Sequence, residues 1–519
     1  MDEPAYQAVL EALNSLISEK PKVGDRQAYE SAYQSLQTYL ERLDLASELT
    51  KLKVIHVAGT KGKGSTCAMV ESMLRQCGYK TGMFTSPHLV DVRERIRLQG
   101  RPIGIPDFMQ HFWWCFDRLK EYAHLHPGMP AYFRFMTVLA LKVFLEEKVD
   151  VAILEVGVGG RLDATNCIPK PIVCGVTSLG FDHVELLGHT LPEIAREKAG
   201  IFKIGVPAFT VQQPEDALQA LFEVAGRVQA PLKLAAPFEQ YMLPPHQLGL
   251  AGAHQQVNAS LAVQLAATWE QAAGPSCGGP AAAGAAQRAQ QLAQLQLPDA
   301  YMEGLQGCVW PGRAQVVRQS WVSEGMADGL GTTFFLDGAH TPESMATCAE
   351  WFCEAAHTQQ DTAGQQELAP HRILLFNCMK ERNPEALLRP FMTTLAARGL
   401  AFQQALFVPP ESSYRKLGSP DHHPKDLSWQ HGLQKVYQTH LTPASTTGVT
   451  RAGLQLPALP GLEAGQDGRQ GAVLPSLRAT LNWLRRCSQS SPKAPLQVLV
   501  TGSLYLVGDV LKLLNKAPV

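Results

Sequence analysis

At 519 residues, 45% of them apolar and 18% charged, the chain is too long for one ordinary core and too apolar for disorder throughout. Two domains of a few hundred residues each, with insertions, are expected. Forty-six Lys and Arg against 47 Asp and Glu leave a formal charge of −1, which gives no electrostatic footprint for nucleic acid but leaves room for a local basic cleft that takes an anion.

The chain opens Met1-Asp2-Glu3-Pro4 and its first basic residue is Lys20. That is neither an Arg-rich transit peptide nor an early apolar signal, so a cytoplasmic protein is expected; a mitochondrial form would carry a further leader. Tyr6, Val9, Leu10, Leu13 and Leu16 share one helical face, as do Tyr33, Leu36, Leu40 and Leu43. A strand over Lys53–Ala58 then enters a Gly-rich turn, and Ser65–Gln76 reads as a helix. Further strands are predicted at Thr81–Thr85, Val151–Val156, Ile172–Thr177 and Val206–Val211, with helices between most of them. Such alternation argues an α/β fold with a mostly parallel sheet. The Ala-, Gly- and Pro-rich run from Ala272, extending to about residue 298, reads as an exposed, flexible insertion, partly helical towards Leu297. A second α/β pattern has strands at Gln315–Arg318, Thr333–Asp337, Ile373–Asn377, Ala405–Val408 and Gln497–Thr501. The expected domains are 1–300 and 301–519, the second interrupted by surface loops at 409–429 and 442–475. No run is apolar enough to span a bilayer. The eleven cysteines, scattered from Cys67 to Cys487 without a CxxC or CxxH pair, argue against zinc and fit a reducing compartment.

The sharpest signal is Val54-Ile55-His56-Val57-Ala58-Gly59-Thr60-Lys61-Gly62-Lys63-Gly64-Ser65-Thr66. An apolar strand runs into a turn where Gly59, Gly62 and Gly64 let backbone N–H groups of residues such as Thr60 face phosphate oxygens. The helix that follows adds positive potential at its N-terminus, and Lys63 can reach terminal phosphates. Spacing departs from the general G-x-x-x-x-G-K-[ST] loop, since the first glycine lies three residues before Gly62 and Gly64 separates Lys63 from Ser65. An incidental Gly-rich turn is the plain alternative.

This shorter loop resembles that of the Mur ligase superfamily, and its K-G-S ending is similar to the folylpolyglutamate synthase branch. Similar blocks follow in order: Thr85-Ser86-Pro87-His88-Leu89 with Arg93-Glu94-Arg95-Ile96, Tyr132 to Thr137, Leu154 to Asn166, Asp182-His183, Glu197 to Ile201, Gly252 to Gln255 with Asn258, Trp310 to Arg313, Leu336 to Thr341, and Thr501-Gly502-Ser503. The three insertions fall outside these blocks and resemble longer eukaryotic members. Arg134 departs from the acidic residue of many bacterial members.

The resemblance implies a P-loop-like N-terminal domain, a smaller Rossmann-like C-terminal domain, and ATP at their interface. The implied reaction adds L-glutamate to a folate through an acyl phosphate, which retains the folate in the cell. It also implies Mg²⁺, a monovalent cation such as K⁺, and a monomer whose partners are small molecules: folate, L-glutamate and ATP, without nucleic acid or membrane. Glu155 ends an apolar strand, where a carboxylate faces the ligand crevice and suits Mg²⁺; a structural Glu bonded to backbone amides is the alternative. The family pattern adds Ser86 and His183 as metal ligands, with Ser65 as a competing hydroxyl. It makes Lys198 a lysine that can be carbamylated and places Asn258, Arg313 and Asp337 on the nucleotide. Thr85, Pro87 and His88 fall in the substrate block, and His340 and Ser503 are candidates for the glutamate site. For Lys198 a solvated surface charge is the plain reading, and for Asp337 and Ser503 it is turn formation or helix capping. Dihydrofolate synthase, alone or bifunctional, is the alternative enzyme. A cell-wall Mur ligase, a small-molecule kinase and a non-catalytic nucleotide-binding protein are the other readings.

Overall fold

The computed structural model describes residues 3–17, 26–241, 248–321, 331–362, 370–412, 426–441, 457, 471–490 and 495–516. Its chain divides into two compact units, to Trp310 and from Pro311. The division falls beyond the expected boundary at 300, because the helix Asp299–Gln306 packs on Lys63–Gln76 in the first unit.

The first unit holds eight strands: β1 (Val54–Ala58), β2 (Thr81–Phe84), β3 (Ile96–Leu98), β4 (Arg101–Pro102), β5 (Val151–Glu155), β6 (Val173–Val176), β7 (Ala208–Thr210) and β8 (Leu232–Leu234). They form one sheet in the order β4-β3-β2-β5-β1-β6-β7-β8. From β2 through β8 neighbours are parallel, while β2–β3 and β3–β4 are antiparallel. Central β1 and β5 are buried along their whole length, which is why they read as nearly unbroken apolar runs. The helix Lys63–Gln76 covers one face with His254–Ala273, and Met69, Met73, Leu261, Leu265 and Trp269 join the same core. The chain leaves β1 towards β2 on one side, whereas β6 joins β1 on the other. Crevices for ligands form at the carboxyl ends of strands at such a reversal.

The expected exposed, flexible insertion at 272–298 is instead folded onto this core. Short helices Gly279–Ala283 and Ala285–Ala293 bury Ala281 and Ala285. Arg288 forms a bidentate pair with buried Glu270, and Tyr301 donates its hydroxyl to the same carboxylate at 3.2 Å. Small side chains let these turns lie close against their neighbours, so an Ala-rich composition here reflects packing rather than exposure.

The second unit has β9 (Gln315–Gln319), β10 (Thr332–Leu336), β11 (His371–Phe376), β12 (Gln404–Phe407), β13 (Ala472–Val473) and β14 (Leu496–Thr501), in the order β13-β12-β11-β14-β10-β9. All neighbours are parallel except β9–β10. Its core includes Phe335, Phe352, Phe376, Phe391 and Leu499. Within the expected loop at 442–475, residues 472–473 form β13; residues 413–425, 442–456 and 458–470 lie outside the described residues. No helix of the described residues is long and apolar enough to cross a membrane, and all eleven cysteines are free thiols.

Candidate active site

The Gly-rich turn after β1 is held from several directions. Thr60 and Lys61 donate their backbone N–H groups to the Ser178 carbonyl at 3.0 Å. Gly59 has φ 144° and Gly62 has φ 86°, values that favour glycine. A Cβ at Gly59 would stand 1.8 Å from Thr177 Oγ1, one at Gly62 2.1 Å from Asn258 Oδ1, and one at Gly64 3.0 Å from Trp310 Nε1. Asn258 is buried and donates to Gln255 Oε1 at 2.8 Å. Gly62 caps the helix Lys63–Gln76, whose first turn carries buried Ser65.

Two lysines converge on this turn. Lys63 Nζ donates to the Gly59 carbonyl at 3.0 Å, and Lys198 Nζ donates to the same carbonyl at 2.8 Å. Lys198 is buried at the end of the helix Leu191–Lys198, not a solvated surface charge. That helix starts with a Thr190–Glu193 capping box and Pro at its first turn, sequence features that set its start and hence the place of Lys198. Burial, followed by the nearby Lys63 cation, pushes the Lys198 ammonium well below the usual lysine range. A separate 3₁₀ turn, Ala199–Ile201, follows the helix Leu191–Lys198 directly.

On the neighbouring strand, Glu155 is buried at the end of β5 and its Oε2 accepts the Ser86 N–H at 2.9 Å. Ser86 and Glu155 are therefore brought together. Buried Thr85 donates its N–H to the Arg95 carbonyl at 3.0 Å, Pro87 is exposed, and Arg95 Nε donates to His88 Nδ1 at 2.9 Å. That bond fixes the proton of neutral His88 on Nε2, and burial with the Arg95 charge lowers its pKa to about 3. His183 lies in the segment after β6, exposed and at φ 51°, with its N–H donating to its neighbour Asp182 at 3.1 Å. Lys61 pairs with Asp182 at 3.9 Å.

In the second unit, Asp337 follows β10 and accepts two backbone N–H groups, Ala314 at 2.8 Å and Ala339 at 2.9 Å. Its carboxylate thus joins the segment before β9 to the turn after β10. Arg313 Nη1 donates to the Gly312 carbonyl at 3.2 Å and lies 2.8 Å from where a Gly338 Cβ would stand. His340 Nδ1 donates to the Gly338 carbonyl at 2.9 Å. Ser503 is buried after β14 and caps the helix Leu504–Leu513 by accepting the Tyr505 N–H. Because β10 and β14 are neighbours, Asp337 and Ser503 both leave the same edge of this sheet.

No protein-family model matches the chain. It is 44% identical to a folylpolyglutamate synthase of Arabidopsis thaliana, over 99% of this chain and 88% of that one. It is 38% identical to the protein named folylpolyglutamate synthase, mitochondrial, of Homo sapiens, over 99% and 92%.

The chain belongs to the folylpolyglutamate synthase family. Solved folylpolyglutamate synthases share its fold. The Mycobacterium tuberculosis structure complexed with ADP and AMPPCP matches with a TM-score of 0.68 at 20% identity over 99% of this chain and 100% of that one. The Thermotoga maritima structure matches with a TM-score of 0.66 at 22% identity over 99% and 98%. Within this folylpolyglutamate synthase fold, Thr177, Gln255, Trp310 and Asp163 contact or support the site; the last three lie in motif blocks noted in the sequence, but none of the four was given a role from it. Asp163 had a local signal, an Asp two residues before Thr165 in a Gly-rich run, and Gln255 meets Asn258 one helical turn away; Thr177 and Trp310 act through contacts distant in sequence.

Proposed function

We propose that this chain uses ATP to add L-glutamate to the γ-carboxyl of a reduced folate or its polyglutamates, forming an acyl phosphate and then an amide with release of ADP and phosphate. A carboxylate is a poor electrophile, and phosphorylation supplies the leaving group that the glutamate amine displaces. The observation that carries this reading is the convergence of Lys63 and Lys198 on the Gly59 carbonyl inside the Gly-rich turn, in a chain related to folylpolyglutamate synthases over nearly its whole length.

The Thr60 and Lys61 N–H groups are held by Ser178 rather than turned to a ligand, so the N–H groups later in the turn and the N-terminus of the helix Lys63–Gln76 would bind phosphate oxygens. Lys63 would exchange its carbonyl partner for the transferred phosphate. Glu155, Ser86 and His183 would hold Mg²⁺, and their donor chemistry fits. Glu155 Oε2 accepts the Ser86 backbone N–H, which brings the carboxylate and the hydroxyl-bearing residue together, while no group of three or more His, Cys, Asp or Glu able to hold a metal occurs among the described residues. Magnesium needs only one or two carboxylates, completed by water and phosphate, rather than a full protein cage. When bound, the ion neutralises phosphate charge and orients the transferred group.

Uncharged Lys198 amine is the form that adds CO₂ to give a carbamate and a proton; burial beside Lys63 favours that form. We assign Asn258, Arg313 and Asp337 to nucleotide binding, Thr85, Pro87 and His88 to folate binding, and His340 and Ser503 to glutamate binding. The cytoplasm is the proposed compartment.

The test is phosphate release from ATP with Mg²⁺, tetrahydrofolate and L-glutamate, each omitted in turn, and mass spectrometry of the folate. Glutamate-dependent phosphate release with stepwise addition of glutamyl units is expected. Phosphate release that ignores glutamate would overturn the proposal.

A further inference from the structure

Beneath the phosphate-binding turn, the central strand carries a polar chain with no part in the roles assigned above. His56 on β1 is fully buried, with Leu154 of β5 and Cys174 of β6 as its strand partners. Its Nε2 lies 2.8 Å from Thr165 Oγ1, and that hydroxyl donates to Asp163 Oδ1 at 2.6 Å. A carboxylate only accepts, so the Thr165 proton is committed to Asp163. Thr165 Oγ1 must then accept from His56, which places the imidazole proton on Nε2. Burial lowers the His56 pKa to about 3, keeping the ring neutral. Its Nδ1 is buried without a partner, so the ring's whole polar function is this single donation.

Asp163 spends its remaining capacity on the turn that follows β5. Oδ2 accepts the N–H groups of Gly157 and Val158, both at 3.0 Å, and Oδ1 accepts the Thr165 N–H at 3.0 Å. Gly157 is two residues beyond Glu155. The far end of the turn is tied to the segment that carries Lys198. Arg161 N–H donates to the Glu197 carbonyl at 2.9 Å, and the Asn166 amide donates to the Gly200 carbonyl at 3.1 Å. One chain of hydrogen bonds therefore joins β1 to the turn between Glu155 and Lys198.

We infer that His56, Thr165 and Asp163 form a positioning relay that sets Glu155 and Lys198 against the phosphate-binding turn, and so tunes how tightly the site holds a magnesium nucleotide. The inference rests on the proposed function for its ligand and adds three residues to which that proposal gives no part.

The experiment measures binding of a fluorescent ADP analogue to the full chain as Mg²⁺ is titrated, alongside thermal unfolding. Thr165→Val removes the hydroxyl at nearly constant volume, and His56→Leu removes the donor; each should raise the Mg²⁺ concentration for half-maximal binding at least about tenfold. Thr165→Ser and His56→Gln keep a donor or hydroxyl in reach and should stay close to the parent. The double variant should be no worse than the worse single, because one chain is broken only once. A merely structural role would lower the melting temperature and leave the Mg²⁺ dependence unmoved; that result overturns the inference. Should His56→Leu fail to fold, the contrast between Thr165→Val and Thr165→Ser decides. If the parent binds magnesium ADP with this dependence yet releases no glutamate-dependent phosphate, the proposed function falls and the relay stands. An active parent whose Thr165→Val variant binds magnesium ADP unchanged sinks the relay alone.

Discussion

The turn glycines set hard limits at the scale of single residues. At Gly62 a side chain meets two obstacles, a φ of 86° and the Asn258 amide 2.1 Å from the Cβ position. Holding a non-glycine residue in such a conformation costs about 1–3 kcal/mol. Gly62→Ala should therefore weaken ADP binding by roughly 5- to 150-fold, read by titration calorimetry. Adding Asn258→Ala removes the clash but not the strain, so it should recover part of the loss. Glu155 poses a question of charge instead. Glu155→Gln keeps an oxygen to accept the Ser86 N–H but removes the negative charge, so folding should be spared. Glutamate-dependent turnover should fall by about 100-fold or more; a variant with parental turnover would exclude Glu155 from the proposed role. The glycines, Lys63 and Ser65 were legible because strand, turn and helix follow one another in sequence. The contacts of Thr177 and Trp310 were not, because these residues meet Gly59 and Gly64 from more than a hundred positions away.

At the scale of elements, composition misleads where small residues serve packing. The run after Ala272 reads as solvent-exposed because it lacks large apolar side chains, yet Ala281 and Ala285 are buried against the first unit. What anchors it is the Arg288–Glu270 pair, with Glu270 only 2% exposed. Arg288→Met would leave that carboxylate buried with neutral hydroxyls, those of Tyr301 and Tyr79, beside it and no cation from Arg288, a loss of about 3–5 kcal/mol. Changing Glu270→Leu in the same chain should restore most of it, because the penalty comes from the uncompensated charge. Urea unfolding of the single and double variants measures both steps, and equal destabilisation in the two would refute the argument. Short strands at or next to the sheet edges escaped sequence reading for a different reason. β4 and β13 have two residues each, and β3 and β8 three, too few to display a period of two.

For the whole molecule, alternating strands and helices were enough to give two α/β units with mostly parallel sheets, since buried central strands leave continuous apolar runs. Sequence gave no sign of how each unit responds to acid, because that depends on which titratable groups end up buried. His56 and His88 in the first unit have native pKa values of about 3, and His371 in the second about 4, all depressed chiefly by burial from 6.5. A group with a depressed pKa takes up its proton first in the unfolded chain, so its stability is present above pH 6.5 and is lost as pH falls towards the native value. Going from pH 7 to pH 5 costs about 2 kcal/mol for fully buried His56 and less for half-buried His88 and His371. Asp509 runs the other way: burial raises it from 3.8 to about 6, so its contribution is full below pH 3.8 and is lost as pH rises through 6. Acidification to pH 5 returns about 1–2 kcal/mol at Asp509, which largely offsets His371 in the same unit. Among the described residues of the first unit, burial also raises Asp163 and Glu94, so part of the histidine loss is returned there. Moving from pH 7 to pH 5 should therefore destabilise the unit ending at Trp310, by at most about 3–4 kcal/mol, while leaving the unit from Pro311 within about 1 kcal/mol of its starting stability. Pulse proteolysis across a urea series at both pH values, with fragments assigned to each unit by mass, measures the two separately. Asp509→Asn should expose the His371 loss of about 1–2 kcal/mol in the second unit; the same acid response with and without this substitution would show that Asp509 does not supply the offset.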